Sequence, residues 1–189
     1  AEIKDITNTG TISGFADDTR STNGYGYGIY NDSSAKIQDI TNTGLMSGTG
    51  IDAEMGYGKG SGIYNNSSAE IQDITNTGVI SGYGTSSVSS GEGYGIYNNS
   101  GTMGDITNIG IISGYGKGRG GNGNLGKGYG IYNENGTITN LTNSGIISGN
   151  NNSDSSMSKN CSYGIQNGGG EITNLINSGL ILGINIAEK

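Results

Sequence analysis

The sequence predicts an all-β fold: a right-handed parallel β-helix of about five to six rungs, with one variable loop per 32-35-residue repeat, in a single domain over residues 1–189. One observation behind this prediction is a six-residue motif that occurs six times: DITNTG at 5–10, 39–44 and 73–78, DITNIG at 105–110, NLTNSG at 140–145 and NLINSG at 174–179. The other is that the apolar runs are short, bounded by Gly and Asn, and rich in Ile, Thr and Tyr, which is typical of strands. No apolar stripe has the i, i+3, i+4, i+7 spacing of a helical repeat, so helical repeats of this length are excluded.

Residues 28–48 show the plan of one complete rung. A run at 29–31 is followed by a polar turn at 32–34, a second apolar run at 37–42 and a third at 45–48. Three short strands and three corners make one turn of a triangular β-helix. A single rung buries too few aliphatic side chains to offset the backbone entropy of about 20 ordered residues, so the rungs must stack.

Stacking places residues one repeat apart in columns along the helix axis. Two aliphatic columns are the predicted core: Ile29, Ile63, Ile96, Ile131 and Ile165, and Ile12, Met46, Ile80, Ile112, Ile147 and Ile181. Two Asn columns are expected to form ladders of side-chain amides at the corners: Asn8, Asn42, Asn76, Asn108, Asn143 and Asn177, and Asn31, Asn65, Asn98, Asn133 and Asn167. A Gly column beside the first ladder predicts a corner with positive φ: Gly10, Gly44, Gly78, Gly110, Gly145 and Gly179.

Variable inserts enter every repeat at the same point. They cover residues 15–27, 49–61, 83–94, 115–129 and 150–163. Inserts at one register of a solenoid lie along one side, so we expect a row of five loops there. Loops on a rigid scaffold commonly carry binding functions.

One column that is predicted to face outward is a candidate ligand-binding surface. Tyr30, Tyr64, Tyr97 and Tyr132 each follow an inward Ile, and Gln166 continues the column. A stacked aromatic row stiffens the shaft, and exposed tyrosines also suit sugar rings or protein partners, because Tyr combines apolar area with a hydroxyl group.

The sequence predicts no enzyme, no cofactor, and no catalytic, cofactor-binding or metal site. It contains no His, so Ser-His and Cys-His pairs are excluded, and Cys161 has no base near it in sequence. The carboxylate clusters of polysaccharide-cleaving β-helices require a basic neighbour on the same face, whereas Arg20 and Arg119 both lie in inserts. The GRGGNG run at 118–123 matches G-x-G-x-x-G but lacks the flanking strand and helix of a dinucleotide site.

An acidic column is the remaining candidate for chemistry: Asp5, Asp39, Asp73 and Asp105, followed by Asn140 and Asn174. Carboxylates stacked about 4.8 Å apart repel one another unless amides, Lys or a cation neutralise them. We favour a corner-capping role for this column, with cation binding as the alternative. The insert residues Asp17, Asp18, Asp52 and Glu54 do not follow the spacing of a calcium loop.

The formal net charge is −7 and the nine Lys and Arg residues are scattered, so nucleic acid is not an expected partner. No run approaches the roughly 18 apolar residues of a membrane span, so we expect no membrane insertion by this segment. One Cys cannot form an internal disulfide. Residues 1–14 do not have the pattern of a secretory leader, so we expect any export signal to be removed or to lie outside this chain, and the chain to be a segment of a larger protein.

The combination of ITNTGxISG with GIYN after an insert resembles the repeats of bacterial autotransporter (type V secreted) passenger domains and other β-helical surface adhesins. The resemblance covers essentially the whole chain. It implies an extracellular or outer-membrane-surface location, and a shaft carrying adhesive or antigenic loops. The implied partners are a host-cell or bacterial surface protein or glycan.

Two other functions stay open. End-to-end stacking would make a self-assembling filament, because end rungs offer unpaired strand edges to another copy. Ice binding would use the T-x-T pairs of the early repeats, such as Thr41 with Thr43 and Thr75 with Thr77, although later repeats replace several of these threonines.

Overall fold

The computed structural model is a parallel β-helix, as the sequence predicts. It describes residues 1–18, 23–52, 56–118, 126–153 and 162–187, and these ranges contain eighteen strands and no helix. The strands form three six-stranded sheets, here called A, B and C, and each rung contributes one strand to each sheet in turn. All neighbouring strands within a sheet are parallel.

The strand bounds repeat with the sequence period. Sheet A contains β1 (Glu2–Asn8), β4 (Lys36–Asn42), β7 (Glu70–Asn76), β10 (Thr102–Asn108), β13 (Thr137–Asn143) and β16 (Glu171–Asn177). Sheet B contains β2 (Thr11–Asp18), β5 (Leu45–Asp52), β8 (Val79–Ser86), β11 (Ile111–Gly118), β14 (Ile146–Ser153) and β17 (Leu180–Leu182). Sheet C contains β3 (Gly24–Asn31), β6 (Gly58–Asn66), β9 (Gly91–Asn99), β12 (Lys127–Glu134), β15 (Tyr163–Gly168) and β18 (Ile184–Ala187).

The core lies inside the triangle formed by the three sheets. Both predicted aliphatic columns are confirmed, since their interior members are 0% exposed and only Ile12, Ile29 and Ile181 near the ends are partly buried. Sheet A adds two inward columns. They are Ile37, Ile71, Met103 and Ile138, and Ile40, Ile74, Ile106 and Leu141.

The two Asn columns lie at corners and are hydrogen-bonded from rung to rung. In the column from Asn8 to Asn177, each Nδ2 donates to the Oδ1 of the next Asn at 2.7–2.8 Å. In the column from Asn31 to Asn167 the same bond measures 2.8–2.9 Å. The amides also donate to backbone carbonyls, so polar groups inside the helix are satisfied where the strands end.

The inserts are mostly strands, so the expectation of long projecting loops is wrong for most of their described length. Sheets B and C extend beyond the triangle and pack face to face as a flat projection, here called the glycine fin. Its inner faces carry glycines at alternate positions. A Cβ on Gly82 would lie 2.0 Å from the carbonyl oxygen of Tyr94, and one on Gly60 would lie 2.1 Å from that of Tyr83. The two sheets therefore pack backbone against backbone, and the described residues 87–90 connect β8 of sheet B to β9 of sheet C.

The predicted positive φ of the Gly column is also wrong. Among the described glycines, only Gly169 and Gly183 have positive φ. The column needs Gly for space instead, because a Cβ on Gly44 would lie 2.1 Å from the carbonyl oxygen of Gly10 in the preceding rung. The left-handed position lies at the corner after the second Asn ladder, at Ser33, Ser67, Ser100 and Asn135, with φ between 55° and 62°.

Candidate functional site: the two outer faces of the glycine fin

The outer face of sheet C, here called the tyrosine face, carries two adjacent columns of aromatic rings. The first is the predicted column Tyr30, Tyr64, Tyr97 and Tyr132, and the second contains Tyr27, Tyr94, Tyr129 and Tyr163. Between β3 and β6, Tyr27 pairs with Ser61 and Ile29 pairs with Ile63, but Gly28 and Gly62 are not paired. Because of this irregularity, Tyr27 and Tyr30 lie on the same side of the sheet although they are three residues apart. The second column is visible in the sequence as the first Tyr of YGIY, but that Tyr is the last residue of an insert, where the sequence predicts a loop.

The tyrosines pack on one another more than they face solvent. Tyr64 is 9% exposed and Tyr97 is 5% exposed, whereas Tyr30 at the first rung is 50% exposed. Ring centroids lie 4.8 Å apart between Tyr64 and Tyr97, 4.7 Å between Tyr97 and Tyr94, and 5.1 Å between Tyr97 and Tyr132. The prediction of a row of exposed tyrosines is therefore wrong for the interior rungs, because a second column flanks the first.

The second column has one gap, at Ser61. Ser61 is fully buried, and its Oγ has no hydrogen-bond partner among the described residues. The ammonium group of Lys59 lies over three neighbouring rings, with Nζ 4.1 Å from the ring centroid of Tyr97, 5.0 Å from that of Tyr94 and 5.4 Å from that of Tyr64. The Lys59 ammonium group thus packs against the ring cluster in the rung where the second column has its gap.

Carboxylates bind the hydroxyl groups of this cluster. The Tyr94 hydroxyl donates to Glu92 Oε2 at 2.7 Å, the Tyr97 hydroxyl donates to Glu134, and Lys127 Nζ lies 2.8 Å from Glu92 Oε1. A cleft of about 200 Å³ opens among these groups.

The buried environment shifts several pKa values on this face. Burial lowers the pKa of Lys59, and the charge of Glu92 opposes this shift. Burial alone would raise the pKa of Glu92, but the charge and hydrogen bond of Lys127 hold it below its ordinary value. Burial, followed by the charge of Glu134, raises the pKa of Tyr132 to about 12.

The outer face of sheet B carries a groove that the sequence did not indicate. Its floor contains a column of serines, Ser47, Ser81, Ser113 and Ser148, in register across four rungs. One wall consists of the next column, Thr49, Tyr83, Tyr115 and Asn150. The feature, here called the serine groove, has a volume of about 390 Å³ and runs across the strands, parallel to the helix axis.

The wall contains one stacked tyrosine pair. The Tyr83 and Tyr115 rings stack with centroids 5.2 Å apart and planes 2° apart. The column places the shorter Thr49 beside Tyr83 and the shorter Asn150 beside Tyr115. Tyr83 is 36% exposed and Tyr115 is partly buried. No hydrogen bond to another described residue uses the serine hydroxyl groups, and every residue lining the groove is uncharged.

Sheet A presents the acidic column on its outer face. Asp39 lies in the middle of its strand, between Lys36 and Asn42, so the corner-capping interpretation is wrong. Asn140 Nδ2 donates to Asp105 Oδ1 at 2.6 Å, which links the acidic part of the column to its amide part. Within the described ranges, no three His, Cys, Asp or Glu residues form a group suited to a metal ion.

The T-x-T pairs do not lie together on one strand. Thr41 and Thr75 are in sheet A, whereas Thr43 and Thr77 lie past the strand ends, with Oγ1 3.3 and 3.5 Å from backbone carbonyls of the preceding rung. Ice binding stays a prediction.

Several residues singled out in the sequence lie outside the described ranges: Arg20, Glu54, Arg119, Cys161 and most of the 118–123 run. Asp52 is described and buried, and its Oδ1 accepts a hydrogen bond from the backbone N–H of Gly56 at 3.0 Å.

No protein-family model, curated protein or solved structure matches this chain. In the part of the chain that the structure describes, no helix is long and apolar enough to span a bilayer.

Proposed function

We propose that this chain is part of the extracellular shaft of a bacterial surface protein, and that it adheres to a neutral glycan chain through the serine groove. The shaft role is supported by the unbroken stacking of the rungs. The three sheets and both Asn ladders run through the rungs without interruption, so further repeats would lengthen the shaft without changing its section.

The serine groove carries the adhesive part of the proposal. Its hydroxyl groups repeat about every 4.8 Å along the groove, which suits a ligand that is itself a chain of repeated polar units. The solvent-accessible parts of the Tyr83 and Tyr115 rings offer apolar area for sugar rings. Because the lining is uncharged and the protein's net charge is −7, a neutral glycan fits better than a polyanion.

A glycan array and calorimetry with purified protein test this function. We expect Tyr83→Ala with Tyr115→Ala to abolish glycan binding, because the variant loses both ring faces. The matched control is Tyr25→Ala with Tyr30→Ala, which removes two exposed tyrosines from the opposite face. If glycan binding survives the first variant and disappears in the control, the tyrosine face and not the serine groove is the adhesive surface. A wild-type protein that binds no neutral glycan would refute the glycan proposal.

Surface location is tested separately. Antibodies raised against this segment are expected to label intact cells of the bacterium that makes it. Labelling only after the cells are permeabilised would refute the extracellular shaft.

A further inference from the structure

The gap at Ser61 creates an aromatic slot in the tyrosine face. The neighbouring rings still pack on one another. The ring centroids of Tyr27 and Tyr64 lie 5.2 Å apart, and those of Tyr64 and Tyr97 lie 4.8 Å apart. Ser61 occupies the position of the missing ring without satisfying its own hydroxyl oxygen. The cleft on this face is lined by Lys59, Tyr94 and Tyr97, among others.

A cation already occupies this slot. The Lys59 ammonium lies within 5.4 Å of three ring centroids, and aromatic faces at such distances attract cations through their quadrupoles. Glu92 and Glu134 lie in the same cleft and add negative charge, and Lys127, also in the cleft, pairs with Glu92. The tyrosine face thus has the composition of an aromatic cage, which is the arrangement that proteins use to bind quaternary ammonium groups.

The ammonium group in the slot belongs to the protein's own Lys59, and its chemistry suits an aromatic site poorly. A primary ammonium is compact and strongly hydrated, so it loses more hydration on entering an apolar cage than a methylated ammonium does. Lys59 is also only partly buried, which leaves the slot open to solvent along the path of its own side chain. Moving Lys59 outward would return its ammonium group to water and leave the space that this group fills beside the three rings open to a ligand.

We propose that Tyr64, Tyr94 and Tyr97 form a binding site for quaternary ammonium groups, in which Lys59 is a built-in occupant that the ligand displaces. The ligand chemistry is a trimethylammonium group, either on a lipid headgroup or on a free small molecule. This site is independent of the glycan proposal, because it lies on the other face of the fin.

Titration of the folded protein with tetramethylammonium and with choline tests the proposal, with the tyrosine ring signals followed by NMR. We expect wild-type protein to bind weakly and Lys59→Gln to bind about tenfold more tightly or better, because a tethered competitor has been removed. The control is Lys36→Gln, which removes a lysine of the same charge from sheet A and is expected to bind as wild type does.

Two further variants separate binding from packing. In the Lys59→Gln background, Tyr97→Phe keeps an aromatic face and should retain binding, whereas Tyr97→Leu should lose it. Circular dichroism and melting curves check that each variant is folded. A folded Lys59→Gln protein that shows no saturable binding would overturn the proposal, and so would binding that survives Tyr97→Leu.

The source of the ammonium group is tested with vesicles. Phosphatidylcholine vesicles that compete with soluble choline, with phosphatidylglycerol vesicles as the negative control, would support a lipid ligand. Binding of soluble choline without binding of either vesicle would support a free ligand. Failure of both would overturn the site.

Discussion

Replacing Asn98 with Ala tests how the amide ladders hold the rungs together. Asn98 is 0% exposed, and its Nδ2 donates to Asn133 Oδ1 at 2.8 Å and to the carbonyl oxygens of Gly101 and Thr137 at 3.0 and 3.2 Å. Its own Oδ1 accepts from Asn65 Nδ2 at 2.9 Å. The substitution therefore removes four hydrogen bonds that connect three rungs.

The expected loss depends on which partners keep another bond. Gly101 O still accepts from the backbone N–H of Thr137 at 3.0 Å, and Asn65 Nδ2 still donates to Ala69 O at 3.1 Å. The Oδ1 of Asn133 is left without a donor among the described residues, which costs about 1–3 kcal/mol, and each of the other three lost bonds costs about 0.5–1.5 kcal/mol. We expect Asn98→Ala to lower the free energy of unfolding by about 2.5–7.5 kcal/mol in total.

Chemical denaturation followed by tyrosine fluorescence and circular dichroism measures this loss. The matched control is Asn177→Ala, because Asn177 belongs to the other ladder but is exposed, so water replaces its bonds and the expected loss is about 1 kcal/mol or less. Equal losses in the two variants would refute the idea that buried amides hold the rungs together. A loss below about 1 kcal/mol for Asn98→Ala would do the same.

The remaining predictions concern the stacking glycines and the tyrosine face. Gly78→Ala should lower the melting temperature far more than Gly10→Ala, because a Cβ on Gly78 would lie 2.2 Å from a carbonyl oxygen whereas one on Gly10 meets nothing within 4 Å. Lys59→Ala should lower the free energy of unfolding, measured with denaturant, by about 0.5–2 kcal/mol. Adding Ser61→Tyr should restore part of this free energy, because the new ring fills the gap in the second tyrosine column. Burial raises the pKa of Tyr132 from 10.0 to about 12, so its contribution to stability is fully present below pH 10 and lost as pH rises toward 12. An alkaline unfolding curve with no decline in that window would contradict this assignment.

The repeat period predicts the fold because in-register stacking converts sequence position directly into a place in space. Ile63, Ile71 and Ile80 lie at fixed offsets within one repeat, and each faces inward on a different sheet. The same offset of 33–35 residues separates the hydrogen-bonded members of the second Asn ladder. Residues of the same type that recur one repeat apart in the sequence are therefore predicted to contact one another in adjacent rungs.

The fin could not be predicted from the same pattern, because Gly has two opposite uses. Gly and polar residues, which fill the inserts, are ordinarily signals of loops. At Gly82 and Gly60, however, Gly is needed because two sheets approach too closely for any side chain. Sequence alone does not distinguish these uses, although the strict Gly-x-Gly alternation at 58–60, 82–84 and 91–93 has the two-residue period of a strand.

The burial of the tyrosines was missed for a related reason. Tyr97 does follow an inward Ile and does face out of the sheet, as the alternation of a strand requires. Its cover comes from Tyr94 in its own rung and from Tyr64 and Tyr132 in the adjacent rungs. Outward-facing and exposed are therefore different properties in a solenoid, because each side chain has copies of itself about 4.8 Å above and below.

The stacking that makes the fold repetitive also leaves the outer columns free to change. The Asn ladders and the fin glycines require one residue type in nearly every rung, since an amide or a missing Cβ is what the neighbouring rung contacts. The outer columns carry no such requirement, and the wall of the serine groove contains Thr49, Tyr83 and Asn150 in a single column. A change in one outer residue therefore alters one rung of one face while the sheets beneath it stay in register. The same sheets therefore carry an uncharged groove on one side of the fin and a charged aromatic cluster on the other.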